Sequence, residues 1–277
     1  AYGKLKMTDD LNAFLKRVRL YSGVVLFVYA ITHLLNHSLN VFSLDAASYA
    51  KEHYFRPIWK SQVGTIALYG SFIVHVPLGV MSIINRKSFK ISTREWLQII
   101  FIILAMFVFV QHVASMYLLT RTFESQLPYE VLYSFVLFDP NEIVASTIFY
   151  TLMTVFIWVH GSIGMHNALT FRMKSYSKNF RKFLIIYLGV PILGLFGFWA
   201  GLKEQSLAMF FNIQAGNENF LMSVVSKAVP MEAFPSLEMV EALTLKYYPV
   251  FVLALLAMGL FNVLRTKYFG QIQITYP

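Results

Sequence analysis

The chain has 277 residues, of which 57% are apolar, 17% aromatic and only 13% charged, with a net charge of +9 and no cysteine. Its mean hydropathy is +0.58. Soluble domains carry about 25% charge, so this composition excludes a disordered chain and an ordinary soluble globule and points to a multi-span membrane protein. Without cysteine, these residues form no disulfide, iron–sulfur cluster or thiol nucleophile.

Six stretches meet the requirement of about 20 mostly apolar residues for a spanning helix. A polar, basic segment over 1–19 precedes the first span, 21–42. The second and third spans follow at 63–85 and 96–119. A loop over 120–142, with prolines at Pro128 and Pro140, leads to the fourth span at 143–168 and the fifth at 183–202. An acidic segment, 203–246, holds Pro230 and Pro235 and is expected to form small surface helices before the sixth span at 248–263. The runs are continuous rather than alternating, which favours helices over barrel strands. The expected fold class is therefore all-α and integral to the membrane: a bundle of six transmembrane helices over 20–268.

Charge sets the expected orientation. With the N-terminus inside, the inner segments contain Lys16, Arg17 and Arg19, then Arg86, Lys87, Lys90 and Arg94, then Arg172, Lys174 and Lys178, and finally Arg265 and Lys267. Their only acids are Asp9, Asp10 and Glu95. The outer segments are acidic overall. This meets the positive-inside rule, so the basic balance needs no nucleic-acid partner, and both termini are expected in the cytoplasm.

Histidine is the informative residue. His53 falls in an outer loop and reads as a solvated side chain. The other six occupy the first four spans: His33 and His37, His75, His112, and His160 with His166. Ionisable residues within a bilayer are costly and mark function. At about 1.5 Å of rise per residue, His33 and His112 fall in the outer half. His75 and His160 fall at or inside the middle. Each layer thus offers two imidazoles from different helices, as a b-type haem requires for its two axial positions. Hydrogen bonding between helices is the competing role for any one of them.

Gly79 follows His75, and Gly164 follows His160, by four residues, on the same helical face. Glycine there would let a porphyrin approach the backbone, although glycine also serves helix packing in membranes. His37 shares a face with His33 and is expected near a haem propionate or water. His166 is rotated by roughly 240° from His160, so both cannot face one iron; water, a propionate or a quinone are its expected partners. Arg56 and Arg121 flank the outer layer, and Arg86 and Arg172 the inner. Their partners are either haem propionates or anionic lipid headgroups. Pro77 should kink the second span just after His75.

These residues resemble a known family. Ser22-Gly23 with residues 29–33, then 72–75, 110–112 and His160-Gly161-Ser162-Ile163-Gly164 are similar to the dihaem cytochrome b anchor of succinate dehydrogenases and fumarate reductases, over about residues 20–170. The resemblance implies His33 with His112 as axial ligands of one haem, and His75 with His160 of the other. A second resemblance covers nearly the whole chain. Thr32-His33-Leu34-Leu35-Asn36-His37, then Gly64-Thr65, Leu68-Tyr69-Gly70 and His75, then Trp158-Val159-His160-Gly161-Ser162-Ile163-Gly164-Met165-His166, look like the six-helix haem anchor of certain bacterial class III adenylate cyclases. That resemblance implies two haem b, exchange with a membrane quinone or quinol, a bacterial inner membrane location, a homodimer, and cytoplasmic ferredoxin and cyclase domains in the same polypeptide. Residues 269–277, with alternating Ile272 and Ile274, read as the opening strand of such a ferredoxin. The cyclase metal aspartates are absent, so no catalytic site is assigned here.

Two other readings compete. One is the anchor subunit of a respiratory succinate dehydrogenase or fumarate reductase. The other is a haem-free receptor or transporter in which the histidines are polar packing groups.

Overall fold

The computed structural model describes residues 2–85, 90–123, 127–137 and 143–269. Arg86 and residues 270–277 of the strand expected over 269–277 lie outside them, while Phe269 ends a helix. The described residues are helical or in short connections, with no strand among them. Helix α1 (Tyr2–Ser38) is followed by α2 (Leu44–Ala50), a π-helical turn (Lys51–Phe55) and α3 (Arg56–Lys60). Then come α4 (Gln62–Ile84), α5 (Thr93–Tyr117), a second π-helical turn (Leu118–Thr122) and α6 (Tyr129–Leu137). Helices α7 (Ile143–Arg172), α8 (Lys174–Lys178), α9 (Phe180–Gln214), α10 (Phe220–Ser226) and α11 (Phe234–Phe269) complete the order.

Five segments are long and apolar enough to cross a membrane: Asp10–Val41, Gln62–Ile84, Ile143–Arg172, Phe180–Gln214 and Met231–Leu264. Thr93–Phe107 and Phe109–Thr122 pass the same test only as a pair, bent by 44°; counted as one span they would make six. Large apolar side chains such as Val63, Ile66 and Ile73 on α4 and Ile185 on α9 point outward. In water such a surface would aggregate, and in a bilayer it meets lipid.

Local chemistry sets several boundaries. Ser43 Oγ accepts from Ala46 N–H and Ser61 Oγ from Gly64 N–H, starting α2 and α4. Ser92 and Glu95 form a reciprocal capping box at the start of α5. Two boundaries differ from the sequence expectation. Helix α9 runs on to Gln214 and α11 begins at Phe234, so the connection expected over 203–246 shrinks to 215–233, holding α10 and a 3-10 turn. Lys203, Glu204 and Gln205 end an apolar run, but they are good helix formers and do not end a helix. Likewise α6 occupies part of the loop expected over 120–142.

Helix α5 packs mainly on α7, and α1 on both α4 and α9. The α1–α9 seam is close because of a small-residue stripe. Val190, Gly194, Gly197, Gly201 and Gln205 are the buried residues of α9, spaced to share one face. A Cβ at Gly194 would stand 3.0 Å from Leu34 Cβ, and one at Gly197 would overlap the His37 carbonyl oxygen. One at Gly201 would stand 2.5 Å from Tyr133 Cε2. Above this seam α2, α6 and α10 form a cap. Its apolar core is Leu119, Leu127, Val131, Val224, Val225, Val229 and Ala233. Leu44, Ala47, Tyr129 and Tyr133 form a second cluster where the cap meets the bundle.

Candidate functional site

Four of the six histidines expected on the spanning helices pair at two levels. Towards the cap, the rings of His33 (α1) and His112 (α5) have centroids 6.3 Å apart at 56°. Towards the α8 end, His75 (α4) and His160 (α7) have centroids 6.5 Å apart at 87°. A ring nitrogen ligates a metal at about 2 Å and the ring centre lies about 1 Å beyond, so two imidazoles gripping one iron from opposite sides have centres roughly 6 Å apart. Both pairs meet that spacing. Among the described residues no group of three or more His, Asp or Glu converges as for a bare metal ion. The rings are paired, as a porphyrin needs.

The pair near α8 is also fixed in tautomer. His160 Nδ1 lies 2.9 Å from the backbone oxygen of Gln98. His75 Nδ1 lies 3.1 Å from the backbone oxygen of Arg19 and 3.2 Å from Ser22 Oγ, while Ser22 Oγ itself donates to the Arg19 oxygen at 3.0 Å. A carbonyl oxygen can only accept, so each Nδ1 carries the proton and each Nε2 presents its lone pair. A ring N–H donated to a backbone carbonyl is the usual support of a metal-bound histidine. Gly23 makes room for the arrangement: a Cβ there would stand 2.9 Å from His75 Cε1.

Of the two glycines expected to face a porphyrin, Gly79 has no heavy atom within 4 Å of where its Cβ would be. Space is therefore open one turn from His75. At Gly164 the Gln98 amide nitrogen would lie 3.2 Å from a Cβ, so that glycine accommodates Gln98. The glutamine carries no motif, and only the structure identifies it as a neighbour of both His160 and Gly164.

Near the cap, His33 stacks on Tyr29 at 5.5 Å and 14°, and His112 meets Tyr150 edge-on at 6.0 Å. The His37 ring stands 4.7 Å from His33 and 5.1 Å from Tyr129. Its Nδ1, with Asn36 Oδ1 and Asn40 Oδ1, is buried without a hydrogen-bond partner among the described residues. Asn36 Nδ2 donates to Tyr129 OH at 2.7 Å and Asn40 Nδ2 to Tyr133 OH at 3.1 Å. Burial raises the phenol pKa of Tyr129, with the Asn36 bond opposing, and raises that of Tyr133. Lys51 donates to the Leu127 carbonyl and lies 5.4 Å over the Tyr129 ring. Burial pulls its ammonium pKa down to about 8; Glu52 opposes the shift, and Arg56 and Lys60 add to it.

The remaining sequence-marked residues are dispersed. His166 Nδ1 is 2.8 Å from Tyr176 OH, which donates to Tyr187 OH at 3.2 Å; this places His166 beside α8 and α9. Arg172 donates to its own helix at the Ala168 carbonyl, 3.3 Å away. His53 is exposed and stacks on Tyr49 at 4.0 Å. Arg56 is ion-paired with Glu52, and Arg121 Nη2 donates to Thr65 Oγ1 at 2.7 Å. Arg56 and Arg121 do come together, lining one cavity of about 310 Å³ with Lys60 and Thr120. Lys60 went unread in the sequence, although its place four residues after Arg56 puts both on one helical face. Comparison with protein-family models, curated proteins and solved structures finds no match to the chain.

Proposed function

We propose that the chain is a dihaem b membrane module that exchanges electrons with a membrane quinone or quinol. In this reading the bent pair in α5 counts as one of six spans, and both termini face the cytoplasm of a bacterial cell. The observation that carries the reading is the double imidazole pairing. Two rings from different helices stand 6.3 Å apart at one level and 6.5 Å apart at the other, about the spacing of two imidazoles bound to one iron. Haem with two axial imidazoles is coordinatively saturated and supplies one-electron transfer rather than oxygen chemistry.

The chain's own contributions follow from its contacts. His33 with His112, and His75 with His160, would be the axial ligands. The carbonyls of Arg19 and Gln98 hold the Nδ1 protons of His75 and His160 and so raise the basicity of each Nε2. Gly23 makes room for the His75 ring, and no heavy atom lies within 4 Å of where a Cβ at Gly79, one turn along, would be. As the regulatory anchor of a dimeric adenylate cyclase, the module would bias two arrangements of its cytoplasmic ferredoxin and cyclase domains through its redox state, with α11 as the connecting element.

Purification after haem-replete expression, followed by optical spectroscopy with haem-to-protein stoichiometry, tests this directly. Two haems per chain with bis-histidine low-spin signals are expected. A preparation without a Soret band would overturn the reading in favour of the haem-free receptor or transporter.

A further inference from the structure

We propose that Tyr248 of α11 is a positioning residue for the histidine pair near the cap: its hydroxyl enters the backbone of α5, sets the bend there and so places His112 against His33. The proposal rests on the dihaem reading.

Helix α5 changes direction by 44° between Thr93–Phe107 and Phe109–Thr122. A kink this sharp has few causes: proline, a glycine–serine pair, a π-bulge, or a group inserted into the i→i−4 ladder. Helix α5 contains no proline or glycine, and the π-helical turn begins only at Leu118, beyond the bend. An inserted group is present. Tyr248 OH donates to the Ile103 carbonyl, the acceptor that an unbroken helix offers to the Phe107 N–H. The Phe107 backbone interacts with the same hydroxyl, and the Tyr248 ring packs on the Phe107 ring at 5.4 Å. The hydroxyl thus meets both ends of one helical rung, where the first limb of α5 stops.

The two limbs serve different histidine levels. The first carries Gln98, whose carbonyl accepts the ring N–H of His160 at 2.9 Å. It also packs on α7 through Phe101 and Phe156, with centroids 5.0 Å apart. The second carries His112, five residues beyond Phe107. With the first limb held, the angle of the bend decides where the His112 ring stands relative to His33, 6.3 Å away at 56°. Straightening α5 would carry His112 sideways by about 4 Å. A coordinate bond of about 2 Å does not absorb that displacement. Tyr248 reaches the bend from the covered face of α11. Between 244 and 259, only Thr244, Tyr248, Val252, Leu255 and Gly259 are not exposed. Their spacing puts them on one helical face, and α11 packs on α4 and α5.

The full chain is expressed with haem and placed in nanodiscs. Paramagnetic resonance of the oxidised haems and potentiometric titration are recorded for the wild type, Tyr248→Phe and Phe107→Leu. The chain has no cysteine of its own, so spin labels at Leu97→Cys and Tyr117→Cys, both exposed positions, report the distance across the bend. Tyr248→Phe takes away only the hydroxyl. The label distance should lengthen by about 2 Å as a segment about 30 Å long straightens. The largest g value of the haem that His112→Ala removes should change, because it follows the angle between the two imidazole planes. The potential of that haem should rise, because a poorly seated imidazole donates less to the oxidised iron. The other haem should be unmoved. Phe107→Leu removes the ring contact, keeps the hydroxyl, and should match the wild type in every reading. Wild-type readings in Tyr248→Phe, an equal shift of both haems, or the same shifts in Phe107→Leu would overturn the proposal with the dihaem reading intact. A wild type without haem would defeat that reading, and the positioning role with it.

Discussion

His160 on α7 and Gln98 on α5 hold one another at two points: the His160 ring N–H donates to the Gln98 carbonyl at 2.9 Å, and the Gln98 side-chain amide reaches the His160 carbonyl at 3.4 Å. Among the described residues, α5 and α7 are the most extensively packed pair of helices. The ring that faces His75 is therefore set by the main helix–helix seam rather than by a loop.

Pairing is the first thing to check. His75→Ala and His160→Ala should each remove the same one of two haems, and His33→Ala and His112→Ala the other. Spectra and stoichiometry of the four variants decide it; loss of different haems by His75→Ala and His160→Ala would refute the assignment. Ser22→Ala is the subtle member of the set. It removes an oxygen beside His75 Nδ1 while the Arg19 carbonyl remains. The ring becomes slightly less basic, so a small upward shift in potential of that haem alone is expected.

Gly23 offers a steric test that touches no ligand. A Cβ at this position would stand 2.9 Å from His75 Cε1, closer than carbon atoms approach in folded proteins, so the imidazole must turn or the helices must part. Gly23→Ala should weaken haem retention at this level, and Gly23→Val should abolish it, with the haem of His33 and His112 still bound. Equal loss of both haems would mean that the substitution acts on the fold as a whole.

The division between what the sequence discloses and what it conceals follows from the physics of the bilayer. Apolar runs must be long to span it and polar residues within them are rare, so the spans and the four deep histidines stand out, and helical rise alone sorts the histidines into two levels. The partners of those histidines are backbone carbonyls, of Arg19 and Gln98, and a carbonyl leaves no trace in residue type. The cap was concealed for another reason. Its core of Leu127, Val131, Val224 and Val229 is scattered over segments whose prolines and acids signal loops, and only their assembly makes them apolar surfaces. The extension of α9 to Gln214 shows the limit of hydropathy, which marks where lipid ends but not where a helix does.

The α1–α9 seam predicts a contrast between two glycines of one helix. A Cβ at Gly197 would overlap the carbonyl oxygen of His37, a backbone atom that cannot turn aside. Gly197→Ala should destabilise the bundle by about 1–3 kcal/mol, the usual range for overpacking. At Gly189 nothing lies within 4 Å of a Cβ, and Gly189→Ala should be neutral or stabilising by about 0.5–1 kcal/mol through helix propensity. Thermal unfolding of both variants in one detergent gives the comparison. A Gly197→Ala protein as stable as the wild type would show that α1 and α9 do not approach this closely.

Lys51 predicts how stability of the cap depends on pH. Its ammonium lies against the Tyr129 ring and donates to the Leu127 carbonyl, with Glu52 Oε1 3.7 Å away. Burial dominates, and with Arg56 and Lys60 it outweighs Glu52, so the folded-state pKa is about 8 against an ordinary 10.5. Between those values the unfolded chain holds more protons at this site than the folded one, and stability then rises with pH. The contribution of Lys51 is fully present above pH 10.5 and is lost as pH falls through 8. Unfolding temperatures of the wild type should therefore gain between pH 8 and 10 relative to Lys51→Met, which has no proton to release. Arg56→Gln removes a cation from the neighbourhood and should move the onset of the rise to higher pH. Parallel curves for the wild type and Lys51→Met across this window would show that the ammonium is as well solvated in the folded cap as in the unfolded chain.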